Sequence, residues 1–340
     1  MAAGKRPSLT GIAAATLALL TLLGFGGRLH PALDSLGHFR LQFGVLLLVF
    51  AVALLARRRW RTGLGSAAVA ALALFTVAPH LGTPRIGAAQ ATAEAQRPVY
   101  RLLQLNLRFD NDDQSGVLAT IARADADVIT LQEVSAPWRE RLKLVAARYP
   151  HQLVCGSASR VGGPAILSRR PFAGAVSPVT HCPIRGMLAV APVDLGGRAI
   201  TVASLHLGWP WPHRQPLQLD WLDAMDDGQF APDLLAGDFN AAPWSETARR
   251  VRARTRLGQV EGIGLTWLHH ALPAKLRPWI GLPIDQIMTG AAIEPLSAHT
   301  LPDAGSDHAP LLLEFSVLRS DTPRDDAPVR TVLLGQSNTR

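Results

Sequence analysis

The sequence predicts an α/β domain of two packed mixed β-sheets, preceded by three transmembrane helices. Three observations predict this order. The long uncharged apolar runs are confined to the front of the chain, before residue 79. From residue 99 short apolar runs alternate with helix-like segments, which mixes α and β in one unit. Later runs are more purely strand-like, and two of them meet across Gly196-Gly197, a hairpin signal.

The membrane segments come first. A hydrophobic fraction of 48% and a mean hydropathy of +0.15 are high for a soluble chain of this length. Residues 9–27, 41–56 and 64–78 contain no charged residue, and spanning a bilayer takes about 20 apolar residues. Lys5 and Arg6 ahead of the first run also suit a cleaved signal peptide, but two further apolar runs follow and the first is longer than a usual signal core. Arg57, Arg58, Arg59 and Arg61 follow the second run, whereas the loop after the first carries only Arg28 and Arg40. By the positive-inside bias the amino terminus and the 57–61 loop face the cytoplasm. The expected localisation is therefore a multi-pass protein of the plasma (inner) membrane with its polar domain outside the cytoplasm.

Charge is divided unevenly along the chain. Residues 1–98 hold ten Lys and Arg against two Asp and Glu, and residues 99–340 hold 24 of each. The high isoelectric point, about 10.6, thus belongs to the membrane part. A domain that grips long nucleic acid usually carries a basic excess, because phosphate neutralisation supplies most non-specific affinity. Polymeric DNA is accordingly a weaker substrate expectation than the whole-chain charge suggests. Cys155 and Cys182 are the only cysteines. Outside the cytoplasm they can be bridged or remain two separate buried thiols, and two cysteines do not make a scaffold.

Residues 79–98, rich in Ala, Gln, Gly, Thr and Pro, suit an exposed tether, and residues 320–340 a polar tail. The domain between them spans 99–319. Its expected strands are 100–107, 128–133, 164–168, 187–193, 199–207, 234–236, 284–288 and 311–317, with helices near 116–124, 137–147 and 245–256. No G-x-S-x-G elbow or phosphate-binding P-loop occurs. Ser306, Asp307 and His308 are sequence neighbours on an extended chain and cannot form a hydrolytic relay among themselves.

Six short polar clusters, each at an end of an apolar run, carry the chemistry: LLQLNLR, VITLQEV, VASLHL, LLAGDFN, PIDQIM and GSDHAPLLLEF. They place Asn106, Glu133, His206, Asp238, Asn240, Asp285, Asp307 and His308 where buried polar groups need partners and buried charges need pairing or a metal. Hard divalent cations such as Mg²⁺ or Mn²⁺ take oxygen ligands, so Glu133, Asn106 and Asp307 are the expected metal side. In AGDFN a glycine turn is expected to present Asp238 and Asn240 on one side, Asp238 to the attacking water and Asn240 to the phosphate. His308 is a base or charge stabiliser oriented by Asp285, and His206 protonates the leaving oxygen or binds phosphate. Arg108, two residues after Asn106, is placed to reach a phosphate.

In this order the clusters resemble the endonuclease/exonuclease/phosphatase superfamily, which includes pancreatic-type deoxyribonuclease, abasic-site endonucleases, neutral sphingomyelinases and inositol polyphosphate phosphatases. The resemblance covers residues 99–318. It implies a four-layer sandwich of two mixed sheets flanked by helices, with the site at one edge, and Mg²⁺-dependent phosphoester hydrolysis. It implies a metal-side pair at Asn106 and Glu133, the G-D-x-N pair at Asp238 and Asn240, a histidine relay at Asp285 and Asp307-His308, and a strand-end histidine at His206. Asn-x-Arg at 106–108 is similar to the deoxyribonuclease branch. The family often has Asn two residues before its strand-end histidine, and this chain has Ser204.

Beside the proposed site, Trp209 and Trp211 can stack on a base, sit in a membrane interface or pack in a loop core. Arg249, Arg250, Arg252, Arg254 and Arg256 lie on one expected helix, and charge runs of this kind are usually solvated faces. The expected activity is that of a membrane-anchored, Mg²⁺-dependent phosphodiesterase acting on nucleic acid or a phospholipid-type ester. Its expected partners are that substrate and the lipid bilayer, with no obligate protein partner called for. The competing expectation is a catalytically silent binding module on a membrane stalk.

Overall fold

A computed structural model of the chain describes residues 8–81, 97–156, 158–173, 182–227 and 230–318. Most of the expected tether and all of the expected tail lie outside the described residues.

The amino-terminal part is helical: α1 (Leu9–Leu23), α2 (Pro31–Gly37), α3 (Arg40–Ala56) and α4 (Trp60–Leu81). Helix α4 is long and apolar enough to cross a membrane by itself, and α2 with α3 passes the same test only as a pair bent by 61°. Helix α1 has 15 residues, about 22 Å at 1.5 Å per residue, so the three expected crossings are not established by helix length. The first expected span is shortened because the helix stops at Leu23, before the glycine-rich turn at 24–27. The third runs on through Pro79 to Leu81, which removes the start of the expected tether.

These helices are apolar on their inner and their outer faces alike. Ala14, Leu17, Leu47, Ala51, Leu54, Ala70 and Ala73 are buried between them, while Leu19, Val49, Val52, Leu64 and Phe75 stand exposed. Gly44 allows close approach, since a Cβ there would meet Leu74 Cδ2 at 3.0 Å and Ala73 Cβ at 3.3 Å. Arg57 Nη1 donates to Thr10 Oγ1 at 3.1 Å, so the arginine-rich loop sits beside the start of α1.

The remaining elements follow in order: β1 (Val99–Asn106), α5 (Gln114–Ala124), β2 (Val128–Val134), α6 (Ala136–Leu142), β3 (His151–Val154), β4 (Gly163–Ser168), β5 (Leu188–Asp194), β6 (Ala199–His206), α7 (Gln215–Ala224), β7 (Leu234–Asp238), α8 (Glu246–Thr255), β8 (Gly258–Gln259), α9 (Arg277–Ile280), β9 (Asp285–Thr289), β10 (Ile293–Thr300) and β11 (Leu311–Val317). They form a six-stranded sheet, β10-β11-β1-β2-β4-β3, and a five-stranded sheet, β5-β6-β7-β9-β8. Both sheets are mixed: β1 runs parallel to β2 and β6 parallel to β7, with the other pairs antiparallel.

Side-chain alternation sorts the apolar residues into three layers of contact. Leu102, Val128 and Ile166 meet Val202, Leu234 and Ile287 between the sheets. Leu103, Leu105 and Ile129 pack outward on Val117, Ile121, Trp138 and Leu142 of α5 and α6. Leu205 and Leu235 pack outward on Leu219, Leu222 and Val251 of α7 and α8. The result is the expected four-layer helix–sheet–sheet–helix sandwich. Gly196 and Gly197, at φ 70° and 85°, close the β5–β6 hairpin as expected.

Strands β3, β8 and β10 and helices α2, α7 and α9 are additional to the expected elements. The first strand is only four residues long, and β10 carries Pro295 at a register shift, features that suit sheet edges and weaken a periodic signal. Cys155 and Cys182 are disulfide-bonded; Cys155 lies in the core between the sheets and the partly buried Cys182 packs against it. The sequence left that pairing open because its partners are brought together only by packing.

The helical part grips the sandwich through polar contacts. Asp34 is buried and accepts from Glu246 N (2.7 Å), Thr247 N (3.0 Å) and Thr247 Oγ1 (2.9 Å). It thereby satisfies free amides in the first turn of α8, where a carboxylate also complements the helix dipole. Trp244 Nε1 donates to Gly37 O at 2.7 Å, Gln42 Nε2 to Gly281 O at 2.7 Å, and His80 Nδ1 lies 2.6 Å from Glu261 Oε2.

Candidate active site

Along the inner faces of the sheets, apolar residues give way to polar ones in steps of two toward one edge. The sequence runs Leu102, Gln104, Asn106 in β1; Val128, Thr130, Gln132 in β2; Val202, Ser204, His206 in β6; and Leu234, Ala236, Asp238 in β7. Antiparallel β9 begins at that edge with Asp285, which is paired with Asp238. Period-two alternation in five neighbouring strands therefore delivers polar side chains to one end of the intersheet space.

Asp238 is the hub. Its Oδ1 accepts from Asn240 N at 2.8 Å, and its Oδ2 from Asn106 Nδ2 at 2.9 Å and Asn240 Nδ2 at 3.3 Å. The same Oδ2 lies 3.8 Å from His206 Nε2 and 3.7 Å from His308 Nε2. Burial pushes the Asp238 carboxyl up to about 6 and Asp285 adds to this, while His308, His206 and the Asn240 amide oppose it. Glu133 completes the ring: Oε1 accepts from Asn106 Nδ2 at 3.1 Å and lies 3.8 Å from His206 Nε2, and Oε2 accepts from Phe109 N at 2.8 Å.

His308 Nδ1 donates to Asp285 Oδ2 at 2.8 Å, the orienting contact expected from the sequence. Burial alone would lower the His308 pKa, but Asp285, Asp238 and Asp307 outweigh it and raise it to about 10. The three carboxylates thus favour the protonated ring, which faces Asp238. Ser306 Oγ donates to Asn106 O and accepts from His308 N, so Ser306 pins two clusters together and does not attack.

Several expected roles change on contact with the geometry. Gly237 lies inside β7 and is no turn; a Cβ there would collide with the Leu205 carbonyl oxygen of the neighbouring strand. Asn240 joins Asp238 by a left-handed turn (φ 47°), and its Nδ2 is spent on Leu207 O and Asp238 instead of lying open to a phosphate. Glu133 is also left-handed at φ 57°, an uncommon conformation for a non-glycine residue, where the β2–β4 register shifts. Arg108 donates from Nε to Asp110 Oδ1 at 2.9 Å, so its guanidinium is engaged beside the site and pairs with none of the expected site residues. Ser204 donates to Leu131 O and accepts from Gln132 Nε2, tying the sheets together and leaving His206 to face the two carboxylates without it. The α8 arginines pair locally, Arg250 with Asp220 and Asp223 and Arg254 with Asp227.

Four further residues belong to the site's support and were missed. Gln104 Nε2 donates to Asp285 Oδ1 (3.1 Å) and to Gln132 Oε1 (2.8 Å). Trp267 Nε1 donates to Asp307 Oδ2 at 3.1 Å. Gln215 Nε2 donates to the carbonyls of Gly208, Phe239 and Asn240, and its Oε1 lies 3.1 Å from Thr247 Oγ1. Only Gln104 and Gln132 left a signal, standing two residues before Asn106 and four after Val128 in the inward register.

A divalent cation fits the oxygen donors here. Asp307 Oδ1 is buried and has no hydrogen-bond partner among the described residues, the condition a cation or water relieves. Glu133 and the amide oxygen of Asn106 are hard oxygen donors too, although they already accept from Asn106, Phe109 and Arg108 N–H groups. Asp238, Asp285 and His308 also offer ligand atoms within 4.8 Å of one another. Within that buried trio Asp285 also accepts from Gln104 and His308, so its members form a hydrogen-bonded relay as well.

The chain matches the endonuclease/exonuclease/phosphatase family over residues 103–308. No curated protein matches it. Among solved structures it is similar to D. rerio TDP2 complexed with single-strand DNA product, at 20% identity over 64% of this chain and 99% of that one, with a TM-score of 0.51. It is also similar to an endonuclease/exonuclease/phosphatase from Beutenbergia cavernae, at 23% identity over 65% and 72% of the two chains, TM-score 0.48. A third is sphingomyelinase C from Streptomyces griseocarneus, at 18% identity over 64% and 99%, TM-score 0.44. With the family match covering more than half of its length and the sandwich in place, the chain belongs to the endonuclease/exonuclease/phosphatase family and is a metal-dependent hydrolase of phosphoric esters.

Proposed function

We propose that this chain is a membrane-anchored phosphodiesterase that hydrolyses its substrate by in-line attack of water. The observation that carries the reading is Asp238 Oδ2, held 3.8 and 3.7 Å from the Nε2 atoms of His206 and His308. One carboxylate thereby lies between two candidate proton donors, with Glu133 3.8 Å from the first.

Asp238, ionised at neutral pH yet raised toward it, takes a proton from the attacking water. The water oxygen bonds to phosphorus as the bond to the leaving oxygen breaks. His206 gives a proton to that oxygen, and the products are a phosphomonoester and an alcohol. His308, fixed by Asp285 and Gln104, balances the charge that develops on the phosphoryl oxygens. Asn106 and Asn240 orient Asp238. Glu133, Asn106 and Asp307 would hold Mg²⁺ or Mn²⁺, which supplies Lewis-acid stabilisation of the phosphate.

The anchor is read as three membrane crossings. Support comes from its small buried residues and large exposed apolar ones, the arrangement of helices that pack in lipid. The Arg57–Arg61 loop lies by the start of α1, while the sandwich is gripped through the loop between α1 and α3 and through the end of α4. By the positive-inside bias the sandwich is then outside the cytoplasm, a setting that permits the Cys155–Cys182 disulfide.

Purified full-length protein in detergent is tested on a panel of phosphoesters with Mg²⁺ or Mn²⁺. Metal-dependent hydrolysis abolished by Glu133→Gln supports the reading. Absence of any such activity, together with no Mg²⁺ binding by calorimetry, would favour a silent binding module. A reporter fused after Arg319 is expected to be active only outside the cytoplasm.

A further inference from the structure

The contacts between anchor and sandwich are not scattered. Trp211, in the loop after β6, accepts through its carbonyl from Ser35 Oγ at 3.4 Å and packs its ring against His30 at 5.9 Å. Trp244 and Thr247 follow β7, Gly262 N donates to His80 O after β8, and Ile280 and Gly281 lie before β9. Every one of these loops leaves or enters the five-stranded sheet at the end where His206, Asp238 and Asp285 stand. The catalytic edge of the sandwich therefore faces the helical anchor.

That edge carries large apolar side chains that the fold does not bury. Trp209, Trp211, Trp279 and Ile280 are 56%, 48%, 79% and 46% exposed. Phe39, the residue just before α3, is also exposed, and Gln42 in the first turn of that helix holds Gly281. Tryptophan favours the boundary between headgroups and hydrocarbon, where its ring is buried and its N–H stays hydrated. The ends of membrane helices mark that boundary, and two of these residues touch the segment that runs from α1 into α3, Trp211 through Ser35 and His30 and Ile280 through Gln42. Trp209 also continues inward: its ring meets Trp267 edge-on at 5.9 Å, and Trp267 lies 6.5 Å from His308 and donates to Asp307.

We propose that Trp209, Trp211, Trp279 and Ile280 seat the catalytic edge in the bilayer interface, and that the substrate is a phosphodiester carried by a membrane lipid. The neutral charge balance of residues 99–340 agrees with a substrate that needs no basic groove, unlike duplex DNA. This proposal rests on the phosphodiesterase reading above and names its substrate class.

The test uses full-length protein reconstituted with Mg²⁺ in vesicles of phosphatidylcholine and phosphatidylglycerol, compared with the protein carrying Trp279→Ser and Ile280→Ser together. Release of phosphomonoester or alcohol from the vesicle lipid is measured beside hydrolysis of soluble bis(p-nitrophenyl) phosphate and of single-stranded DNA. The expected result is lipid hydrolysis that falls at least about tenfold in the double variant, with the soluble diester cleaved at a rate within about twofold of the unsubstituted protein. Cleavage of the soluble diester or DNA with no attack on lipid overturns the proposal and leaves the phosphodiesterase reading standing. Equal losses on lipid and soluble diester overturn the docking role. Failure on every substrate sinks the phosphodiesterase reading itself. As a measurement independent of turnover, brominated phosphatidylcholine is expected to quench tryptophan fluorescence less in Trp279→Phe than in the unsubstituted protein, and unchanged quenching counts against the docking.

Discussion

In the core of the sandwich Trp138, Phe230, Phe239 and Phe315 are fully buried, and small residues stand where strands cross closely, as Gly237 does. In the helical part the contrast is absent: alanines and leucines share the inside while Val49, Val52 and Phe75 face outward. The difference teaches what surrounds each part. Water rewards removing large apolar groups from the surface, whereas lipid, the surroundings proposed for the helical part, is indifferent to them. Where the two parts meet, neither rule applies, and the junction is made of Asp34, Gln42, His80 and Trp244, each with a polar partner.

The contrast breaks most visibly on core deletion. Leu105→Ala, in the fully buried layer under α5, is expected to cost about 2–5 kcal/mol, whereas Val52→Ala on the outer face of the anchor should change stability by under about 0.5 kcal/mol. Denaturation of detergent-solubilised protein measures both, and similar losses would remove the distinction. Within the site, Asp285→Asn should lower kcat by roughly 10- to 100-fold, because it weakens the contact that orients His308 without touching the phosphate.

Acidity gives a smaller, graded effect. As pH falls through about 6, Asp238 gains a proton and stops accepting one from water. Activity should then drop by about tenfold for each further unit. A bound divalent cation favours the ionised form, so raising Mg²⁺ should move the fall to lower pH. A rate that stays flat between pH 7 and pH 4.5 would remove Asp238 as the base. The smallest effect tests the junction. Asp34→Ala should cost about 1 kcal/mol by uncapping α8 and lower kcat several-fold through Thr247 and Gln215, with Asp34→Asn restoring part of both. Unchanged melting and turnover would mean that the anchor holds the sandwich without setting its site.

The strands that carry the site were legible because period-two alternation places Asn106, His206 and Asp238 at the ends of apolar runs, whatever the rest of the chain does. The pairing of His308 with Asp285 was legible for the same reason, since both begin or precede a strand at one edge. The supports were not. Gln215, Trp267 and Asp34 act through partners reached only after folding, and Asp34 meets Thr247 across 213 positions. Asn240 was expected to face the phosphate because spacing alone cannot show that a left-handed turn will spend its amide on Leu207 and Asp238. The length of α1 was misread because apolar composition continues through 24–27 while the helix does not.

Steady-state hydrolysis of bis(p-nitrophenyl) phosphate by the full-length protein, with Mg²⁺ and then with excess chelator, tests the central claim most directly when run beside Asp238→Asn. The account predicts turnover that requires the metal and falls by about a thousandfold in Asp238→Asn, whose amide cannot take a proton from water. Turnover that survives the chelator, or that Asp238→Asn leaves within a few-fold of the unsubstituted protein, would contradict it.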